Sequence, residues 1–221
     1  MKQNEVLIVV PMKDPKEAKT RLESCLEPSH RAELATHLFM KTLSCLNAAQ
    51  DLEDFDLAVI SRSKKIRFIT RGNNLEFIWE RALGLNLAVE QARQWAAYRG
   101  YRYMCVIPGD LAMPDACDIA TLLRQTRKPR QLTLCPSVEL GTNGLGLPLD
   151  CDMSFAYGVG SLNAHIKKGL EARLMPVVLP LKSLQRDIDV AEDLQALPEE
   201  TTSRLTGGNM HDAINHAYSA S

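Results

Sequence analysis

Tyr103-Met104-Cys105-Val106-Ile107-Pro108-Gly109-Asp110-Leu111 carries the clearest strand signal in the chain. A short run that is apolar on both faces reads as a strand buried inside a parallel sheet. Pro108-Gly109 closes it, because neither residue continues a ladder comfortably. The carboxylate of Asp110 is thereby left at the tip of a buried strand. Working upstream, the same alternation recurs: strands are predicted over 5–10, 56–61 and 75–79, and helices over 30–49, 66–70 and 85–98. Ser29 is the expected cap of the first long helix, whose Leu34, Leu38, Leu43 and Leu46 recur at helical spacing, and Gly100 stops the helix over 85–98. Downstream, a helix over 115–124 starts at Asp115, strands follow over 131–135 and 144–147, and a helix over 161–172 leads to a strand over 175–179 and a closing helix over 190–197. The pattern is α/β, a mostly parallel sheet flanked by helices. One domain is expected over 1–198, with a polar tail over 199–221 that holds a short helix near 210–218. Sheets of this kind bind ligands outside the carboxyl ends of their strands, where the strand order reverses. The loops that follow the strands therefore decide function.

Composition narrows the classes. With 221 residues and 45% hydrophobic content, the chain fills one core. A net charge of −1 gives no basic field for a nucleic-acid backbone or an anionic membrane. The apolar run Val6-Leu7-Ile8-Val9-Val10 is too short to span a bilayer and no cleavage-site pattern follows it. The reading is a cytoplasmic enzyme with no membrane and no nucleic-acid partner; apolar sheet edges are compatible with a homodimer. The six cysteines form no Cys-x-x-Cys pair and the five histidines no His-x-x-x-His, so the cysteines read as small buried hydrophobes in a reducing compartment.

Three post-strand segments carry chemistry. Lys13, Lys16, Lys19 and Arg21 crowd the loop after the first strand. Such a charge run is either a solvated surface or a grip on a triphosphate, with Lys13, Lys19 and Arg21 as the converging cations. The loop has no Gly-x-x-x-x-Gly-Lys-Ser/Thr and no Gly-x-Gly-x-x-Gly, which excludes a P-loop and gives a dinucleotide fingerprint no support. Asp110 is placed to hold Mg2+, which takes one or two carboxylates plus phosphate oxygens; the alternative, a cap for the next helix, is better filled by Asp115. Asp187-Ile188-Asp189 puts two carboxylates on one side of an extended segment, either a helix start or a second half of the same metal site. Two glycine-bearing stretches, Gly141-Thr142-Asn143-Gly144 and Tyr157-Gly158-Val159-Gly160-Ser161, precede a strand and a helix, and the second is a ready anion site with Ser161 as the N-cap.

In order along the chain, Val10-Pro11-Met12-Lys13 with Ala18-Lys19-Thr20-Arg21-Leu22, Gly84-Leu85-Asn86 with Ala88, Pro108-Gly109-Asp110-Leu111, Gly141-Thr142-Asn143, Gly158-Val159-Gly160-Ser161 with His165, and Asp187-Ile188-Asp189 with Glu192-Asp193-Leu194 resemble the 2-phospho-L-lactate guanylyltransferase family of coenzyme F420 biosynthesis. The resemblance implies a GT-A, Rossmann-like nucleotidyltransferase fold. It implies GTP as donor and a phosphorylated three-carbon acid as acceptor: 2-phospho-L-lactate, phosphoenolpyruvate or 3-phospho-D-glycerate. It further implies Mg2+ on Asp110 and the Asp187/Asp189 pair, with Asp189 the preferred second ligand. By the same token Thr142, Asn143, Gly158 and Ser161 would hold the acceptor, Leu85 and Asn86 would lie along the base, and Lys13, Lys19 and Arg21 along the triphosphate, with Lys19, Arg21 and Asp110 carrying the catalysis. The sequence departs from the family around the acceptor segments: Ser137-Val138-Glu139-Leu140 stands where an Asp-Gly pair often precedes Gly-Thr-Asn. Ala112-Met113-Pro114 replaces an apolar continuation, and Val190-Ala191 replaces Thr-Pro. The alternatives are a nucleotidyltransferase for a molybdopterin or sugar phosphate, whose first loop is usually glycine-rich, and a non-catalytic nucleotide-binding module.

Overall fold

A computed structural model describes residues 4–197 and Thr201. The alternation expected from the sequence is present as β1 (Val6–Pro11), α1 (Pro28–Ala49), β2 (Asp56–Ser61), α2 (Lys64–Gly72), β3 (Glu76–Trp79), α3 (Leu85–Tyr98), β4 (Tyr103–Val106), α4 (Ala116–Thr126), β5 (Gln131–Pro136), β6 (Thr142–Pro148), α5 (Ser161–Glu171) and β7 (Met175–Val178). The strands form one sheet in the order β3-β2-β1-β4-β6-β5-β7. β1 pairs in parallel with both β2 and β4, and β6 alone opposes its neighbours β4 and β5. From β1 the chain moves one way to β2 and β3, then returns to add β4 on the other side. The switch point therefore falls between β1 and β4, and the loops after those two strands meet there.

Alternation along β1 feeds two cores. Val6, Ile8 and Val10 face Phe39 and Leu43 of α1 and Leu122 of α4, while Leu7 and Val9 face Val89 and Ala92 of α3. A third, smaller cluster joins Leu22, Leu34, Leu38, Ala112, Ile188 and Leu194 away from the sheet.

Several boundaries differ from expectation for physical reasons. Ser29 is not the cap of α1: Pro28 occupies its first turn and Glu27 the cap position, because a fixed φ and a missing N–H suit the start of a helix. Ser161 is not the cap of α5 either. Gly160 caps it at φ 67, leaving Ser161 buried inside the first turn. Asp115 does cap α4, accepting from the amides of Cys117 and Asp118. The segment over 190–197 is a 3-10 helix at Ala191–Ala196. β6 is longer than its predicted core over 144–147 and takes in Thr142, which pairs with Pro136 of β5, and Asn143, which sits at the register shift between the two strands. The helix expected over 210–218 lies outside the described residues.

Gly144 and Gly146 mute the strand signal of β6, yet both are required by packing. A Cβ at Gly146 would sit 1.9 Å from Thr126 Oγ1 and 2.9 Å from Thr126 Cβ. Thr126 is itself held, donating to the Leu122 carbonyl at 2.8 Å. Gly146→Ala is therefore expected to cost about 2–3 kcal/mol by overpacking, read as a lower midpoint in urea unfolding with an unchanged slope.

Candidate active site

The first loop turns twice before reaching α1. Asp14 caps a 3-10 turn at Pro15–Glu17 by accepting from the Lys16 amide at 3.0 Å, and a second 3-10 turn follows at Thr20–Leu22. Lys19 joins them in the left-handed region, at φ 56 and ψ 36. For a lysine this costs on the order of 1 kcal/mol and persists only where the surroundings demand it. The demand is visible. Its side chain is 2% exposed, and Nζ donates to Asp110 Oδ2 at 2.5 Å and to Asp189 Oδ1 at 3.0 Å. Burial pulls the ammonium down, but the two carboxylates outweigh it and hold the Lys19 pKa above its ordinary value. Arg21 approaches Asp189 Oδ2 at 4.0 Å from a more exposed position.

The carboxylates come from distant segments, each fixed by its backbone. Asp110 follows the Pro108-Gly109 turn, where a Cβ on Gly109 would press on Met12 and Phe39 at 3.1 Å. Lys41 of α1 donates to the Ala112 carbonyl at 2.9 Å and steadies the loop. Leu111 bridges to Asp187, and the Ala112 amide donates to the Arg186 carbonyl at 2.9 Å. Ile188 is buried in the third cluster, so Asp187 and Asp189 on either side turn to the cleft as alternation predicts. Asp193 accepts from the amides of Asp189 and Val190, both at 2.9 Å, and fixes that turn. Burial, then Asp189 and Asp110, push the Asp187 carboxyl up to about 6.

Asp110, Asp187 and Asp189 thus outnumber the one buried ammonium beside them, and all their donors are hard oxygens. That donor set fits Mg2+. Among the described residues no three Asp, Glu, His or Cys side chains close into a group that could hold a metal ion by themselves.

These residues line an open cleft of about 570 Å3 at the switch point, together with Lys13, Leu85, Thr142 and Asn143. That volume suits a nucleotide-sized ligand. The remaining candidates stand elsewhere. Asn86 does not line the cleft: its amide donates to the Tyr157 carbonyl at 3.1 Å and accepts from the Tyr157 amide at 2.7 Å, bracing the start of α3 against the loop before α5. Gly158 is exposed just beyond Tyr157, and Ser161 lies behind Thr142 with their hydroxyl oxygens 3.3 Å apart. Thr142 Oγ1 also meets His165 Nδ1 at 3.0 Å, while His165 Nε2 accepts from the Ala156 amide at 2.9 Å. Burial, with Lys168 nearby, lowers the His165 pKa to about 4, so the ring is neutral at physiological pH. Asn143 Nδ2 is buried with no hydrogen-bond partner among the described residues.

Arg62 and Glu80 line the cleft but escaped the motif reading. They face each other at 3.6 Å, and each immediately follows a strand, β2 and β3 respectively. The post-strand rule points to them; no motif does.

Comparison with known proteins gives concordant findings. The family model described as "Guanylyl transferase CofC like" matches residues 6–201. The chain is 35% identical over 190 residues to a 3-phospho-D-glycerate guanylyltransferase of Colwellia psychrerythraea, covering 86% of this chain and 90% of the relative. It is 28% identical over 193 residues to a phosphoenolpyruvate guanylyltransferase of Rubrobacter xylanophilus, covering 87% and 93%. Among solved structures, a nucleotide-diphospho-sugar transferase fold from Desulfovibrio desulfuricans superposes with a TM-score of 0.71 at 17% identity, covering 99% of this chain and 98% of that one. The last likeness is one of fold alone, and it is the Rossmann-like nucleotidyltransferase architecture expected from the sequence.

Proposed function

The chain belongs to the CofC-like guanylyl transferase family, and from that premise we propose that it transfers GMP from GTP to a small phosphorylated three-carbon acid, releasing pyrophosphate, in coenzyme F420 biosynthesis. The candidate acceptors are 3-phospho-D-glycerate, phosphoenolpyruvate and 2-phospho-L-lactate. The first is the one to test first, because a relative that acts on it shares 35% of aligned residues. The observation that carries the reading is the single ammonium of Lys19, which ties together carboxylates from two distant loops at the switch point.

The chemistry asks little of a general base. An acceptor phosphate has a second pKa of about 6 and is already an anionic nucleophile at neutral pH. One of its oxygens bonds to the α-phosphorus of GTP as the bond to the bridging oxygen of pyrophosphate breaks, and no proton need move. His165, neutral and bonded at both nitrogens, is unsuited to act as a base, and none is required. What remains is alignment and charge neutralisation. Lys13, Lys19 and Arg21 take the triphosphate and the departing pyrophosphate, Leu85 lies along the base, and Thr142 and Asn143 face the acceptor. Mg2+ would be held by Asp110 and Asp189, with Asp187 beside them, and would supply further neutralisation of phosphate charge.

Incubation with GTP, Mg2+ and each acid separately, followed by pyrophosphate release, tests the reading. At least one acid is expected to release pyrophosphate well above background. Background release with all of them, together with release from a sugar phosphate, would overturn it.

A further inference from the structure

The hydrogen bonds around Thr142 determine where its proton goes. A neutral imidazole has one donor nitrogen and one acceptor nitrogen. His165 Nε2 faces the Ala156 N–H at 2.9 Å and must accept, so Nδ1 carries the hydrogen and donates to Thr142 Oγ1 at 3.0 Å. Ser161 Oγ donates to the same oxygen at 3.3 Å. A hydroxyl has two lone pairs and one hydrogen. Both lone pairs of Thr142 are engaged from the interior, and its own O–H is left for the cleft it lines. His165 is fully buried, Ser161 is 2% exposed and Thr142 8%, while Ala156 at the Nε2 end is half-buried. Tyr157 packs edge-on against the ring at 4.8 Å and holds it.

We propose that His165 is a positioning residue that makes Thr142 an obligate hydrogen-bond donor to an anionic oxygen of the acceptor acid. This rests on the guanylyl-transfer reading for the identity of the ligand, and on the hydrogen bonds alone for the direction of the donor. An oxyanion gains from a hydroxyl that cannot present a lone pair, because a rotor free to point its oxygen into the cleft would repel it. Recognition would then favour acids with a carboxylate or phosphate at this wall and reject uncharged analogues.

Two variants separate the arms of the imidazole. The amide nitrogen of His165→Asn falls near Nδ1 and keeps a donor for Thr142, whereas His165→Gln reaches the Nε2 position and keeps only the acceptor for Ala156. His165→Gln is expected to raise the acceptor KM about tenfold, as for a lost charge-assisted bond, with the GTP KM unchanged. His165→Asn should recover most of that loss. Thr142→Val should lose at least as much as His165→Gln, and the double variant should be no worse than Thr142→Val alone, since His165 acts only through that hydroxyl. Equal loss in Asn and Gln variants, a parallel rise in the GTP KM, or multiplicative loss in the double variant would overturn the proposal. Nitrogen-15 NMR of the wild-type imidazole gives a reading independent of turnover and of variant folding: a hydrogen on Nδ1 is expected, and one on Nε2 would refute the arrangement even if no acid proves to be a substrate. A wild type that turns over no acid, with the hydrogen on Nδ1, would instead count against the acceptor assignment.

Discussion

Asp110→Asn is expected to lower pyrophosphate release by about 10^3-fold, the scale of removing a preorganised charge from a phosphoryl-transfer site, while the protein stays folded. The amide keeps the shape of the carboxylate and can still accept from Lys19, so packing at the Pro108-Gly109 turn is preserved. What is lost is one negative charge of the three on that wall. Asp187 would feel the loss, because Asp110 is one of the charges that push its carboxyl up to about 6. Steady-state rates with saturating GTP and Mg2+, beside circular dichroism of the same preparation, check this. Turnover within tenfold of wild type would remove Asp110 from the catalytic centre. A protein that merely bound nucleotide would show little change in nucleotide affinity.

Lys19→Met is the second large effect, and it acts on rate and stability together. Methionine keeps length and apolar volume but leaves Asp110 and Asp189 facing each other without their shared ammonium. Breaking a buried pair typically costs more, but Asp110 and Asp189 are 29% and 43% exposed, so solvent screening reduces the expected loss to about 1–3 kcal/mol. The rate should fall by at least about 10^2-fold at a temperature where the variant is folded, from lost neutralisation of the leaving pyrophosphate. A further signature separates this from simple damage. With the ammonium gone, the carboxylates should draw a divalent cation more strongly, so added Mg2+ should raise the variant's Tm by more than it raises that of the wild type. A smaller Mg2+ shift would mean that the carboxylates do not face a common ion.

Much of this site was legible before any coordinates. Short apolar runs ended by Pro or Gly located β1 and β4, and the sheet rule then singled out the loops that hold Lys19 and Asp110. Alternation around Ile188 correctly turned Asp187 and Asp189 to one side. What stayed hidden depends on partners remote in sequence. Nothing local says that Lys19 bends into the left-handed region, since the pull comes from Asp110 and Asp189. Nothing local says that Asn86 closes on the Tyr157 backbone instead of facing the base wall. The length of β6 was obscured by its own glycines, which are there because Thr126 and Cys135 crowd them from other elements. The caps of α1 and α5 are Glu27 and Gly160 and not Ser29 and Ser161, because a serine beside a proline or glycine is a weaker signal than its neighbour's fixed or freed φ.

The small apolar cluster outside the sheet threads together Leu22 behind Arg21, Ala112 beyond Asp110, and Ile188 between its two aspartates. Arg21, Asp110, Asp187 and Asp189 thus each lie one or two residues from an anchor in this cluster, whereas Lys19 stands beside Ala18 of the larger core. Ala18 and Leu111 tie the same two loops to the sheet's own core, so the corner is held from both sides. A change of side-chain volume at Leu22 or Ile188 is therefore expected to shift the arginine and the paired aspartates together, because close-packed interiors transmit strain.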